Sequence, residues 1–243
     1  MKLQEIYATL NEISPFELQE KWDNSGLLVG NMQSDIEEIV LSLDIDEELI
    51  ANAKEGTLFI VHHPLIFSKL AALNFVYYPA NLLAQMVKKD ISLIAMHTNF
   101  DKTHLNKYVF EEVLGLELES QSDFICATGK RFKSEDILAL LGEKLSLDCC
   151  KVVNYKDEVE GISLTTGAGA SLIESVETEC FLTGDIKYHD AMKAMSENKM
   201  LIDIGHFESE QFFVDVMFDL LNSMPISVII AQSKNPFETF SIK

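Results

Sequence analysis

Thr57-Leu58-Phe59-Ile60-Val61-His62-His63-Pro64 is an apolar run of strand length that stops on two adjacent histidines, and Pro64 forces the chain to leave the sheet there. Runs of this kind alternate with helical periodicity along almost the whole chain, the pattern of an α/β architecture with largely parallel strands. Around it the sequence predicts a helix from Leu3 to Leu10, a strand from Ile39 to Ile45, and a helix from Glu47 to Ala53. A helix from Asn81 to Lys88, a strand from Ser92 to Met96 and a helix from Leu105 to Leu114 follow. A second set opens with a strand from Phe124 to Thr128 and a helix from Ser134 to Lys144. Strands near Cys150 to Asn154 and from Ile162 to Thr165 come next, then a helix from Leu172 to Val176. A strand from Cys180 to Thr183, a helix from Lys187 to Ser196 and a strand from Leu201 to Ile204 lead to one long helix, Glu208 to Asn222, and a last strand, Ser227 to Ala231. The polar stretch Glu117 to Ser122 reads as the boundary. The expected fold is two similar α/β lobes, residues 1–120 and 121–243, with mixed, largely parallel sheets flanked by helices and a metal site in the cleft between them.

The two halves echo one another. Thr57 through His63 resembles Glu179-Cys180-Phe181-Leu182-Thr183-Gly184-Asp185, and Leu93-Ile94-Ala95-Met96-His97 through Asp101 resembles Leu201-Ile202-Asp203-Ile204-Gly205-His206 through Glu210. In each half a strand is followed by a helix and then by a strand ending in His, with a carboxylate four residues on. Ligands of α/β proteins usually bind at that carboxyl edge.

The 243 residues suffice for a substantial core without disulfides. With 19 Lys and Arg against 39 Asp and Glu, a formal charge of −20 repels a phosphate backbone, so nucleic acid is disfavoured as a stable partner. The basic run Lys130-Arg131-Phe132-Lys133 reads as a solvated loop. Cys126, Cys149, Cys150 and Cys180 lack C-x-x-C spacing and read as reduced, buried small hydrophobes. The amino terminus lacks the pattern of a signal peptide, and no apolar run approaches a membrane span of ~20 residues, so a cytoplasmic protein is expected.

Four of the six histidines lie at strand ends: His62, His63, His97 and His206. His206 and Glu210 are four apart on a helix and project from one face, and His97 and Asp101 share that spacing. Imidazoles and carboxylates without thiolates suit Zn, Fe, Mn, Co or Ni. Five of these six groups would already exceed the needs of one tetrahedral ion and suit a pair of ions bridged by a carboxylate and water. His189, one turn from Asp185, reads either as an acid–base group or as a helix-surface histidine beside Asp190. Thr166-Gly167-Ala168-Gly169-Ala170-Ser171, between a strand and a short helix, reads either as a backbone cradle for an anion or as a place where glycines permit close packing.

Trp22-Asp23-Asn24-Ser25-Gly26-Leu27-Leu28-Val29-Gly30, His62-His63-Pro64, His97-Thr98-Asn99-Phe100-Asp101, the Thr166 to Ser171 segment, Thr183-Gly184-Asp185 and Gly205-His206 through Glu210 together resemble the NGG-interacting-factor-like (YbgI-like) family, nearly end to end. Many of its members carry the label of type-two homologues of GTP cyclohydrolase I. The resemblance implies a two-lobed subunit, a toroidal homohexamer, and two divalent metal ions held by His62, His63, Asp101, His206 and Glu210, with His97 beside them. Some members insert a long domain between the lobes, for which the junction near Glu117 to Asp123 is too short. Some have a second His where this chain has Phe207. The function expected is a dinuclear metal-dependent hydrolase, acting on GTP or another nucleotide or phosphoester, with His97 orienting water or carrying its proton. The rival expectation is a non-catalytic oligomeric scaffold that binds, stores or delivers metal.

Overall fold

A computed structural model describes residues 1–231 and 233–238. Its strands are β1 (Gly26–Val29), β2 (Glu38–Ser42), β3 (Thr57–Val61), β4 (Ser92–Ala95), β5 (Ser120–Ser122), β6 (Ile125–Lys133), β7 (Val152–Val153), β8 (Glu158–Leu164), β9 (Cys180–Thr183), β10 (Met200–Asp203) and β11 (Ser227–Ile230). The chain forms two compact units, Met1–Phe100 with Phe213–Lys243, and Asp101–Phe212.

The first unit is built on a sheet in the order β1-β4-β3-β2-β11. Every residue of β3 and β4 is buried, as expected of central strands covered on both faces. β2, β3, β4 and β11 run parallel, and only β1 is antiparallel to its neighbour. Registers Ser42↔Val61 and Val61↔Ala95 align the carboxyl ends of β2, β3 and β4. Whatever follows those strands therefore gathers at one edge. The helix Leu3–Ile13 buries Leu3, Ile6 and Leu10, one stripe at helical spacing. Asp46 caps the helix Glu47–Asn52 by accepting from Leu49 N at 2.8 Å.

The second unit carries a sheet in the order β5-β6-β8-β9-β10-β7. β8, β9 and β10 are parallel, whereas β5, β6 and β7 join antiparallel. Here the expectation of largely parallel strands holds only for the central three. The helix Ser134–Leu145 turns Ile137, Leu141 and Leu145 inward and ends at Ser146 with φ +56°. Phe181, Leu201, Ile125 and Ile173 form the core of this unit. The anticipated echo is real at the level of topology: β3–helix Ala80–Lys88–β4 and β9–helix Tyr188–Ser196–β10 are both strand, helix and parallel strand.

Several boundaries differ from the sequence reading. The polar stretch Glu117 to Ser122 is not a linker, because Ser120–Ser122 is an exposed edge strand paired with β6. The division falls instead at residues 100 and 213. The long helix expected from Glu208 to Asn222 is broken into His206–Glu210 and Phe213–Leu221, and β11 returns to pair with β2 of the first sheet. Lys130 to Lys133 is not a loop but the end of β6, and two of its three charges are matched by acids: Lys130 pairs with Glu117, and Arg131 with Glu160 across the strand pair. Among the cysteines Cys126 and Cys180 are buried as expected, but Cys149 is exposed and Cys150 half-buried. No helix among the described residues is long and apolar enough to cross a membrane.

Candidate metal centre

At the aligned ends of β2, β3 and β4 the first unit assembles an imidazole cluster. Beyond Val61 the amides of His62 and His63 both donate to the Leu43 carbonyl, at 3.1 Å each, so the chain turns out of the sheet and presents two successive rings. His97 follows β4, its amide donating to Ser25 Oγ at 3.2 Å. One ring nitrogen from each of His62, His63 and His97 lies within 4.8 Å of the others.

Each of these rings is held by its Nδ1. That atom contacts the Met96 carbonyl in His62 at 2.8 Å, Asp44 Oδ1 in His63 at 2.9 Å, and Asp23 Oδ1 in His97 at 2.8 Å. A carbonyl or carboxylate only accepts, so the proton of each neutral ring sits on Nδ1 and the lone pair on Nε2. An oxygen partner that fixes tautomer and ring direction is the usual support of a metal-ligating histidine. The Phe213 ring lies 5.1 Å from that of His62 and walls the cluster with an apolar face.

Asp23 is the most elaborately held of these partners. Its side chain is 0% exposed and accepts from His97 Nδ1, Asn24 N, Ser25 Oγ, Thr98 N and Thr98 Oγ1. Burial alone would raise its pKa, but the hydrogen bond and charge of His97, with the Thr98 hydroxyl and the Asn24 amide, outweigh it and hold the carboxyl well below the usual range.

The second unit repeats the arrangement with carboxylates. The ends of β8, β9 and β10 lead into Thr166-Gly167, Gly184-Asp185 and Gly205-His206. His206 Nδ1 meets Asp185 Oδ2 at 2.7 Å, and its Nε2 faces Glu210 Oε2 at 2.9 Å. With Nδ1 donating to Asp185, Nε2 and the Glu210 carboxylate both present lone pairs, which suits a proton or a cation between them. A carboxylate oxygen of Asp101 also lies within 4.8 Å of one of Glu210. The Glu210 side chain is only 4% exposed. A Cβ on Gly167 would sit 2.0 Å from Glu210 Oε1 and 3.5 Å from His206 Nε2, at a residue with φ +60°. Glycine at that position gives the carboxylate its room.

The donor set thus fits divalent cations in chemistry. His62, His63 and His97 come together in one unit, and Asp101, His206 and Glu210 in the other. His189 joins neither group: it is exposed on the helix Tyr188–Ser196, its ring 5.6 Å from that of Tyr188, while Asp185 is engaged by His206. The glycine segment is not an anion cradle, because the amides of Thr166, Gly167 and Gly169 donate to Asn106 Oδ1, Ser209 Oγ and Thr183 Oγ1. Its glycines serve close packing. The sequence reading missed Asp23 and Asp44 as imidazole partners. The available signal was weak: an Asp in a turn beside Trp22, and another at the end of a strand.

Two α/β units thus each end their parallel strands in His, Asp or Glu side chains of a kind that could hold a metal ion. The chain belongs to the Duf34/NIF3 (NGG1p interacting factor 3) family, whose profile matches residues 1–236. It is 45% identical over 241 residues to a GTP cyclohydrolase 1 type 2 homolog of Campylobacter jejuni, covering 99% of this chain and 100% of that one. To a GTP cyclohydrolase 1 type 2 of Helicobacter pylori it is 38% identical over 238 residues, covering 97% and 98%. The crystal structure of a Staphylococcus aureus hypothetical protein superposes with TM-score 0.85 over 99% of both chains at 23% identity, a likeness of fold.

Proposed function

We propose that this chain is a dinuclear metal-dependent hydrolase, with His62, His63, Asp101, His206 and Glu210 holding two divalent cations and His97 acting as the proton carrier. The observation that carries the reading is the shared posture of the imidazoles: His62, His63, His97 and His206 all have Nδ1 on an oxygen partner. That tautomer puts the lone pair a metal ion would take on Nε2 of each ring. Paired cations in such a site would acidify water and polarise an electrophile at neutral pH. His97 would take a proton at Nε2, since Asp23 keeps the other ring proton in place and stabilises the charged ring that results. Phe213, against His62, keeps one side of the cluster dry.

The names of the Campylobacter and Helicobacter relatives favour a nucleotide substrate such as GTP. The same reading takes the protein as a cytoplasmic ring-shaped hexamer, for which light scattering should return a six-chain mass. Turnover of GTP and a phosphoester panel with Zn, Mn or Fe tests it, with Glu210→Gln and His97→Ala as controls. If nothing turns over above the Glu210→Gln background while metal still binds, the hydrolase reading falls and a scaffold or metal-delivery protein replaces it.

A further inference from the structure

Two large aromatic side chains stand in water beside the imidazole cluster of the first unit. Trp22, the only tryptophan of the chain, is 58% exposed, and Phe67 is 51% exposed. Their rings lie 5.9 Å apart and 56° to one another, each 6.3 Å from the His97 ring and nearly perpendicular to it, at 78° and 80°.

They are fixed in place. The Trp22 turn is pinned by the buried Asp23 carboxylate, and Asn24 Nδ2 donates to the Ile66 carbonyl at 2.6 Å, tying that turn to the segment that carries Phe67. Half-exposed aromatics on a rigid base keep π-faces open to a ligand at little cost in ordering.

We propose that Trp22 and Phe67 form a stacking platform for a planar heteroaromatic ring of the substrate, set beside the His97 imidazole. Stacking tolerates any flat ring and needs no cationic anchor. This suits a chain of net charge −20, which would repel a ligand caught mainly by its phosphates. A cationic ligand over the same rings is the competing occupant. The assignment rests on the metal-centre reading for where the ligand reacts, though ring binding itself is measured without metal.

The lone tryptophan makes the test direct, because tryptophan-selective fluorescence reports Trp22 alone. The full chain, metal-free and zinc-loaded, would be titrated with guanosine, cytidine, ribose 5-phosphate and tetramethylammonium. Saturable quenching by the nucleosides, little changed by salt and absent with ribose 5-phosphate, is expected. By calorimetry, Phe67→Ala and Trp22→Ala should each weaken nucleoside binding roughly five- to 150-fold, the loss of one aromatic stack. Trp22→Phe should restore most of it. The platform is overturned if neither nucleoside quenches Trp22 in either form, if tetramethylammonium alone saturates it, or if Phe67→Ala binds nucleoside as the parent does. Zinc binding by calorimetry is read separately, so its failure would sink the metal centre and leave the stacking result standing.

Discussion

Asp23 shows how one residue carries several functions of the site. It takes up its proton at lower pH in the folded chain than in the unfolded one, so below the ordinary aspartate range the unfolded chain binds more protons. Its contribution is present above that range and is lost as pH falls through the lowered folded value. Asp23→Asn is expected to flatten this acid limb in urea midpoints measured against pH. It should also cost roughly 1–3 kcal/mol of stability at neutral pH, through donors left poorly matched, and weaken zinc binding by about 10–100-fold. Gly167→Ala acts from the opposite side: the new methyl has no place beside Glu210 Oε1. Calorimetry should find zinc affinity reduced at least about tenfold, on the same scale as other changes to the support of a metal ligand. Retained affinity would mean that Glu210 does not ligate from this position.

At the scale of elements, the strands and the histidines at their ends were readable because apolar runs, Pro64 and the His-x3-carboxylate spacing are local signals. Buried β3, β4 and β9 announce themselves by composition alone. The partners of the imidazoles were not readable, since Asp23 and His97 are 74 residues apart and meet only once β1 and β4 pair. Nor did periodicity separate His206–Glu210, which buries the polar Ser209 and Glu210, from the apolar Phe213–Leu221, as no Gly or Pro stands at the break. The polar edge strand β5 looks like a linker because exposure produces the same composition in both. The cysteines test the strand placement. Burial, with the charge of Glu111, pushes the Cys126 thiol up to about 12, and burial does the same to Cys180. A maleimide should therefore label Cys149 first and reach Cys126 and Cys180 only on unfolding. Labelling of Cys180 in the folded protein at the rate of Cys149 would contradict a buried β9.

For the whole molecule, ligands that bind only the folded state stabilise it by mass action. Zinc at about a hundredfold above its dissociation constant is expected to add roughly 2.7 kcal/mol for one site. Thermal melts with zinc and with a chelator measure this, and coincident melts would argue against a site formed by folding. The Glu210→Gln variant should show a smaller zinc-dependent shift than the parent.

The return of β11 to β2 has a consequence for synthesis. Residues 101–212 form a contiguous stretch, so that unit can finish packing while the ribosome is still adding the rest. The unit begun first must wait for its last strand, leaving the flank of β2 open during translation. Its imidazole cluster therefore gains the apolar wall of Phe213 only near the end of synthesis.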